Sequence, residues 1–233
     1  MLFRIFRNKR SRTMPEVHIG LFPDVGATRY LNACPGKIGL YLALTGSRIK
    51  AADMLYCGLA THFVPHDGIE AVTAALAAVE WRSGAERAQV DALLDRFRRD
   101  PGAPPLASLQ EEIDRCFSGD SVEQILAALS REGSDWGRET RATIERASPL
   151  AVKITFHQMK LGEHGMDIET ALALEYRMTQ HMMAAHDFFE GIRAVLVDKD
   201  QKPQWEHGSL AAVTDQEVAR YFEPLGEREL VFT

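Results

Sequence analysis

The sequence is short of several things, and each shortage closes off a class of protein. Its three cysteines, Cys34, Cys57 and Cys116, are far apart and odd in number, with no CxxC pair and no zinc-type spacing. A disulfide scaffold is therefore not indicated, and the thiols read as reduced, in a reducing compartment. Positive charge is not in excess: 27 Lys and Arg stand against 33 Asp and Glu, a net charge of −6. A general nucleic-acid binder would show a basic footprint instead. No stretch approaches the ~18 consecutive apolar residues of a membrane span. There is no Gly-rich phosphate loop, no G-x-S-x-G nucleophile elbow and no H-E-x-x-H pair. His181 and His186 are five apart and do not share a helix face, so no metal site is expected. Internal repeats and low-complexity tracts are absent too. What remains is a chain of 233 residues, 45% hydrophobic and 26% charged, an ordinary globular composition. It is long enough for one large domain or two small ones.

Residues 1–13 differ from the rest. They hold five cations (Arg4, Arg7, Lys9, Arg10 and Arg12) and no acid. Such a tip fits an organelle transit peptide, although 13 residues is short for one, and it also fits a surface-binding arm. The reading adopted is a disordered leader, because chain ends are poorly ordered unless tied down. Residues 14–35 read as extended or looped, punctuated by Pro15, Gly20, Pro23, Gly26 and Pro35. Lys37–Leu44 predicts a short apolar helix stopped by Gly46, and Ala51–Tyr56 another, with Gly58 in the stop position. Leu59–Val64 is the clearest strand, ended by Pro65, and Ile69–Trp81 carries apolar residues at helical spacing. Residues 83–105 are polar and broken by Pro101-Gly102-Ala103-Pro104-Pro105, so they read as an exposed connection. Ser108 with Glu111, Ser121 with Gln124 and Thr214 with Glu217 have the spacing of capping boxes. Ser148-Pro149 supplies an N-cap and a first-turn proline for a helix over Pro149–Leu161. Helices are also expected over Ile168–Ala185 and Asp187–Val197. The outcome is a mostly helical chain with few strands, fewer than an α/β protein of this size should offer. That deficit points to sheet partners outside the sequence.

Chemistry is most plausible around Glu16 and Asp24. They lie eight residues apart in Met14-Pro15-Glu16-Val17-His18-Ile19-Gly20-Leu21-Phe22-Pro23-Asp24-Val25-Gly26, an otherwise apolar, Gly/Pro-punctuated segment. Paired carboxylates divide acid and base roles when their surroundings push their pKa values apart, and Val17, Ile19, Leu21 and Phe22 would raise one of them. The alternative is that Glu16 is solvated after its proline and that Asp24 serves a turn with Val25-Gly26. His62, inside the apolar strand, reads as a satisfied core histidine. Met178, Met182 and Met183 read as helix packing.

The segment from Met14 to Gly26 resembles the crotonase (enoyl-CoA hydratase/isomerase) superfamily, specifically its 3-hydroxyisobutyryl-CoA hydrolase branch. Gly36–Gly46, Gly58–Val64, Cys116–Ile125, Ser148–Thr155, Glu175-Tyr-Arg177, His186–Asp200 and Pro203-Gln-Trp205 continue the likeness, which covers nearly everything from residue 14 onward. The resemblance implies an α/β fold, the C-terminal portion of a crotonase-like spiral. It divides the chain into a basic leader (1–13), the part of the core carrying the active-site loop (14–82) and a helical region (83–233). Glu16 becomes the catalytic glutamate, acting on a thioester carbonyl as nucleophile or as base for water. Asp24 becomes the partner that marks the hydrolase branch, where related hydratases carry a small residue. Arg193, Lys199 and Lys202 become candidates for a CoA phosphate, with solvated surface cations as the alternative.

The implied reaction is hydrolysis of 3-hydroxyisobutyryl-CoA to the free hydroxy acid and CoA, a step of valine catabolism, with acyl-CoA as substrate and no metal or redox cofactor. No nucleic-acid or membrane partner is expected, and a homo-oligomer is open. The expected location is cytoplasmic, with mitochondrial as the alternative. Two rivals stand beside this reading: hydration or isomerisation of an enoyl-CoA, and a non-catalytic remnant or split-enzyme subunit. The third arises because the family's oxyanion donors lie in a portion preceding this motif, which residues 1–13 do not resemble. The isolated chain is accordingly expected to be nearly inactive.

Overall fold

The computed structural model describes residues 5–7 and 13–232. Two short strands, β1 (Ile5–Arg7) and β2 (His62–Val64), pair in parallel, Ile5 with His62, Phe6 with Phe63 and Arg7 with Val64. The helices in chain order are α1 (Ala27–Asn32), α2 (Ile38–Thr45), α3 (Ala51–Tyr56), α4 (Ile69–Ala77) and α5 (Glu86–Asp95). Then come α6 (Pro105–Ser108), α7 (Gln110–Cys116), α8 (Val122–Glu132) and α9 (Asp135–Arg146). The last are α10 (Pro149–Gly162), α11 (Ile168–Met182), α12 (His186–Ile192) and α13 (Asp215–Arg220). A 3₁₀ turn spans Glu16–Ile19, and a π turn, Arg193–Val197, continues α12.

Ile5–Arg7 fall in the stretch read as a disordered leader. For these three residues that reading is corrected, because a ladder with β2 ties them down and Ile-Phe suits a pleated strand. Most of the remaining leader, residues 1–4 and 8–12, lies outside the described residues.

The contacts group into two compact units that interleave along the chain. One joins β1 to Arg48–Leu109; the other joins Thr13–Ser47 to Gln110–Thr233. No division falls at the expected 82/83 boundary, since linear reading cannot anticipate a unit built from separated segments. In the first unit Val64, Val72, Leu93 and Leu94 form a buried cluster with Val90 and Phe97 against it. The expected exposed connection over 83–105 therefore contains α5. Its Val90, Leu93 and Leu94, with Phe97 just beyond its end, recur at helical spacing, and surrounding Arg and Asp masked the pattern. His62 is buried, with Nε2 3.5 Å from both Asp91 and Asp95 carboxylates.

In the second unit every residue of α2 is buried, as expected for a helix apolar on all sides. A second cluster gathers Phe22, Leu150, Ile154, Leu174, Met178 and Met182. Met183, expected to pack with Met178 and Met182, is instead 47% exposed. Three of the anticipated caps form. Ser121 accepts from the Gln124 N–H, Ser148 from the Ala151 N–H ahead of Pro149, and Thr214 from the Glu217 N–H. Ser108 does not cap. Its hydroxyl donates to the Pro105 carbonyl inside α6, because the next helix starts two residues later. Also against expectation, residues 14–35 contain α1 and the 3₁₀ turn. All three cysteines are buried.

Candidate active site

Glu16 opens the 3₁₀ turn, and three attachments hold that turn. The Val17 carbonyl accepts from the Ser148 N–H at 3.1 Å. His18 Nε2 bonds the Thr45 carbonyl at 3.0 Å, and burial lowers the pKa of its ring. Third, the turn meets α12 backbone to backbone. A Cβ on Gly191 would lie 2.3 Å from the Ile19 carbonyl carbon, and one on Gly20 2.3 Å from the Asp187 carbonyl oxygen. Asp187 locks the same junction. It is fully buried, accepts from the Ser148 hydroxyl at 2.5 Å and accepts from the Glu206 N–H at 2.8 Å.

Past Gly20 the chain is pinned by Phe22, fully buried in the Leu150–Met182 cluster. Burying such a side chain is worth about 2–3 kcal/mol. Beyond it come Asp24, Val25 and Gly26, the last serving as N-cap of α1 in the left-handed region, at φ +86°. Val25 also has positive φ, +53°, and is 71% exposed. For a β-branched residue that conformation costs roughly 1–3 kcal/mol. The far side of the loop is held by Glu175 of α11. Its carboxylate accepts from the Gly26 N–H (2.6 Å), the Thr28 N–H (2.9 Å) and the Thr28 hydroxyl (2.7 Å). A remote carboxylate thus satisfies the free N–H groups that begin α1.

Burial pushes the Glu16 carboxyl up to about 7; its own backbone N–H opposes the shift and the nearby Asp24 charge adds to it. Glu16 Oε2 is buried without a hydrogen-bond partner. A carboxylate with a free oxygen and a pKa near neutrality is suited to take a proton or attack a carbonyl. Among the described residues the half-buried Asp24 carboxylate has no hydrogen-bond partner either. The Asp24 backbone carbonyl, and not its side chain, closes the turn by accepting from the Ala27 N–H. Glu16 is therefore not the solvated residue of the alternative, whereas the turn at Asp24-Val25-Gly26 is present and leaves the Asp24 carboxylate uninvolved in it. The structure brings the two carboxylates close enough for their charges to interact.

The proposed phosphate cations fare differently. The Arg193 guanidinium is engaged by Glu190 (2.8 Å), Asp198 (2.7 Å) and Asp200 (2.7 Å) and also donates to the Lys202 carbonyl. It holds the Glu190 carboxyl well below the usual range. A phosphate would have to displace three carboxylates, so Arg193 is corrected to a clamp on the segment after α12. Sequence reading had counted its charge without the acids beside it. Lys199 and Lys202 are exposed, with no ion-pair partner among the described residues. Among these residues no group of three or more His, Cys, Asp or Glu is arranged to hold a metal. No helix of the described residues is long and apolar enough to cross a membrane.

Sequence reading gave Ser148 only a helix cap and assigned no role to Asp187, Gln158, Thr28 or Glu175. Their only signal was the Ser148-Pro149 cap; the rest depends on contacts 19 to 149 residues apart in sequence.

The mostly helical layout is that of part of the crotonase fold. The chain belongs to the enoyl-CoA hydratase/isomerase family, whose model matches residues 1–222, a span that includes the basic tip. It is 41% identical over 230 residues to the mitochondrial 3-hydroxyisobutyryl-CoA hydrolase of Danio rerio, covering 98% of this chain and 60% of that protein. The enzyme of the same name from Homo sapiens is 37% identical over 235 residues, covering 99% and 60%. Among solved structures, a carnitinyl-CoA dehydratase from Mycobacterium thermoresistibile matches with a TM-score of 0.88 and 37% identity, covering 99% of this chain and 64% of that one. The chain thus spans 60% of the length of these two curated relatives.

Proposed function

We propose that this protein hydrolyses a short hydroxyacyl-CoA thioester, with 3-hydroxyisobutyryl-CoA the leading substrate, releasing the hydroxy acid and CoA. The observation that carries the reading is the Glu16 carboxyl: half-buried, unpartnered at Oε2 and raised to about 7 beside Asp24. The curated relatives' names support the acyl group. Glu16 acts on the thioester carbonyl directly or through a water. Asp24 holds the substrate hydroxyl or that water by charge-assisted hydrogen bonds. The names of both relatives include "mitochondrial", which supports that compartment over the cytoplasm. No metal or redox group enters this scheme.

The deciding experiment compares thioester hydrolysis with enoyl-CoA hydration in protein purified from its own source, with wild type beside Asp24→Gly. Hydrolysis should fall about 100-fold, and the acid limb of kcat/KM should move slightly to lower pH, because burial still raises Glu16 but the added push of the Asp24 charge is gone. Retained hydrolysis would remove Asp24 from the mechanism, while strong enoyl hydration in both proteins would favour a hydratase. The 233 residues alone are expected to turn over slowly, because the resemblance puts the oxyanion donors in another portion of the fold.

Lys199 and Lys202 remain proposals for the CoA phosphates. The double replacement Lys199→Ala with Lys202→Ala should raise KM about 3- to 10-fold for acyl-CoA, using roughly 0.2–1 kcal/mol for each exposed charge pair. It should leave KM for the matching acyl-pantetheine, which lacks those phosphates, unchanged. An equal effect on both substrates would refute the assignment.

A further inference from the structure

The loop bearing Asp24 is gripped from both sides by buried polar groups. On the C-terminal side the Glu175 carboxylate takes the N–H groups of Gly26 and Thr28 and the Thr28 hydroxyl. On the N-terminal side Gln158 Nε2 donates to the Pro23 carbonyl at 2.7 Å and to the Thr28 hydroxyl at 2.8 Å. Glu175 is 3% exposed, and Thr28 and Gln158 are fully buried. The Thr28 hydroxyl joins the two grips, accepting from Gln158 and donating to Glu175. Asp24 and Val25 lie between them.

A helix cap alone does not account for this arrangement. Glu175 does cap α1, whose N-cap Gly26 offers no side chain, but a cap does not explain what lies between the two grips. Val25 is a second left-handed residue, and its side chain is exposed, so no burial of its own offsets the strain. Strain of this kind persists only where surrounding structure over-determines it, and it collects at functional sites. The network also tolerates an unpaired buried atom, Gln158 Oε1, a cost that a purely structural cap would not require. Finally, Glu175 places a second buried carboxylate close enough to Asp24 for their charges to repel, which a neutral cap would avoid.

We propose that Glu175, linked through Thr28 to Gln158, is a positioning residue for the reaction: it fixes the strained Pro23–Thr28 loop and thereby sets Asp24 against the substrate. This rests on the hydrolase reading above. Glu175 touches no reacting atom. It acts by fixing the backbone on either side of Asp24, and a displacement near 1 Å at such a group costs about 100-fold in rate.

The test uses Glu175→Gln, Thr28→Val and Thr28→Ser in the protein from its own source, read by steady-state kinetics and by the backbone amide NMR signals of Asp24, Val25 and Gly26. Glu175→Gln should lower kcat about 100-fold with KM within about 2-fold, and it should move all three signals. Thr28→Val keeps the volume and the N–H but breaks the link. It should lower kcat about 10-fold, whereas Thr28→Ser should behave as wild type in both readouts. Because Thr28→Val exchanges only a hydroxyl for a methyl, it supplies the result if Glu175→Gln does not fold. Signals that stay in place, or signals that move without loss of kcat, would overturn the positioning role. Full turnover in Glu16→Gln would overturn the hydrolase reading instead, so the two failures are separable.

Discussion

Glu16→Gln is expected to lower kcat/KM by about 10²–10⁴-fold, the range for loss of a well-placed base, and at the same time to make the fold more stable at pH 8. Both effects have one cause. Burial raises the Glu16 carboxyl to about 7, above its value in the unfolded chain, so between pH 4.5 and 7 the native state holds the extra proton. The favourable contribution of this group is complete below about pH 4.5 and is lost as pH rises through about 7. At pH 8 the native state carries a half-buried charge whose Oε2 has no partner. A shift of this size corresponds to at most about 3 kcal/mol, and solvent screening at a half-buried group reduces it to about 1–2 kcal/mol. Glutamine removes the charge. Urea denaturation at pH 5 and pH 8 would therefore show wild type losing stability between the two and the variant losing less. The wild-type rate should rise with pH to a plateau, with its midpoint near 7. A midpoint near 4.5, or a variant with unchanged turnover, would contradict the assignment of Glu16 as base.

Gly191→Ala should be among the most damaging single-methyl changes in the second unit. In an exposed helix the replacement would stabilise by about 0.5–1 kcal/mol. Here the new Cβ would lie 2.3 Å from the carbonyl carbon and oxygen of Ile19. Those are backbone atoms, which cannot swing aside as a long side chain does. The 3₁₀ turn and α12 must separate, against the opposing Gly20 contact and the Ser148–Asp187 bond. Overpacking usually costs about 1–3 kcal/mol and sometimes more; a backbone clash on two tied elements belongs at the upper end, near 3 kcal/mol. Glu16 is only three residues from Ile19, so turnover should fall as well, about 100-fold for a displacement near 1 Å. Thermal melting and kcat on the same preparation check both. A melting temperature at or above wild type would show that the backbones do not meet.

What could be read from the sequence was local chemistry. Ser148-Pro149 announced α10, Ala51–Tyr56 was bounded correctly, and Gly46 stopped its helix at the expected position. Glu16 and Asp24 stood out because carboxylates are unusual in an apolar, proline-bounded segment. What escaped depended on distant partners. Helix α1 was invisible because its N-terminus is capped by Glu175 rather than by a neighbouring side chain. Helix α5 was hidden because four apolar residues sat among many charges. Ile5–Arg7 became a strand only because His62–Val64 lies beside it. Arg193 looked like a free cation because the carboxylates of Asp198 and Asp200 reach it through the fold of the following turn.

The hydrogen bond from Gly26 to Glu175 closes a loop of 149 residues. Contacts of such sequence separation form late, since chain closure must precede any gain from them. During synthesis Asp24 and Val25 leave the ribosome well before Glu175 exists, and the strained loop has nothing to hold it in that interval. The Asp24 loop is therefore expected to mature last, after α10 and α11 have docked, although it precedes both in the sequence. Refolding followed by site-specific probes should show the helices acquiring protection first and the Asp24 loop closing in a later phase.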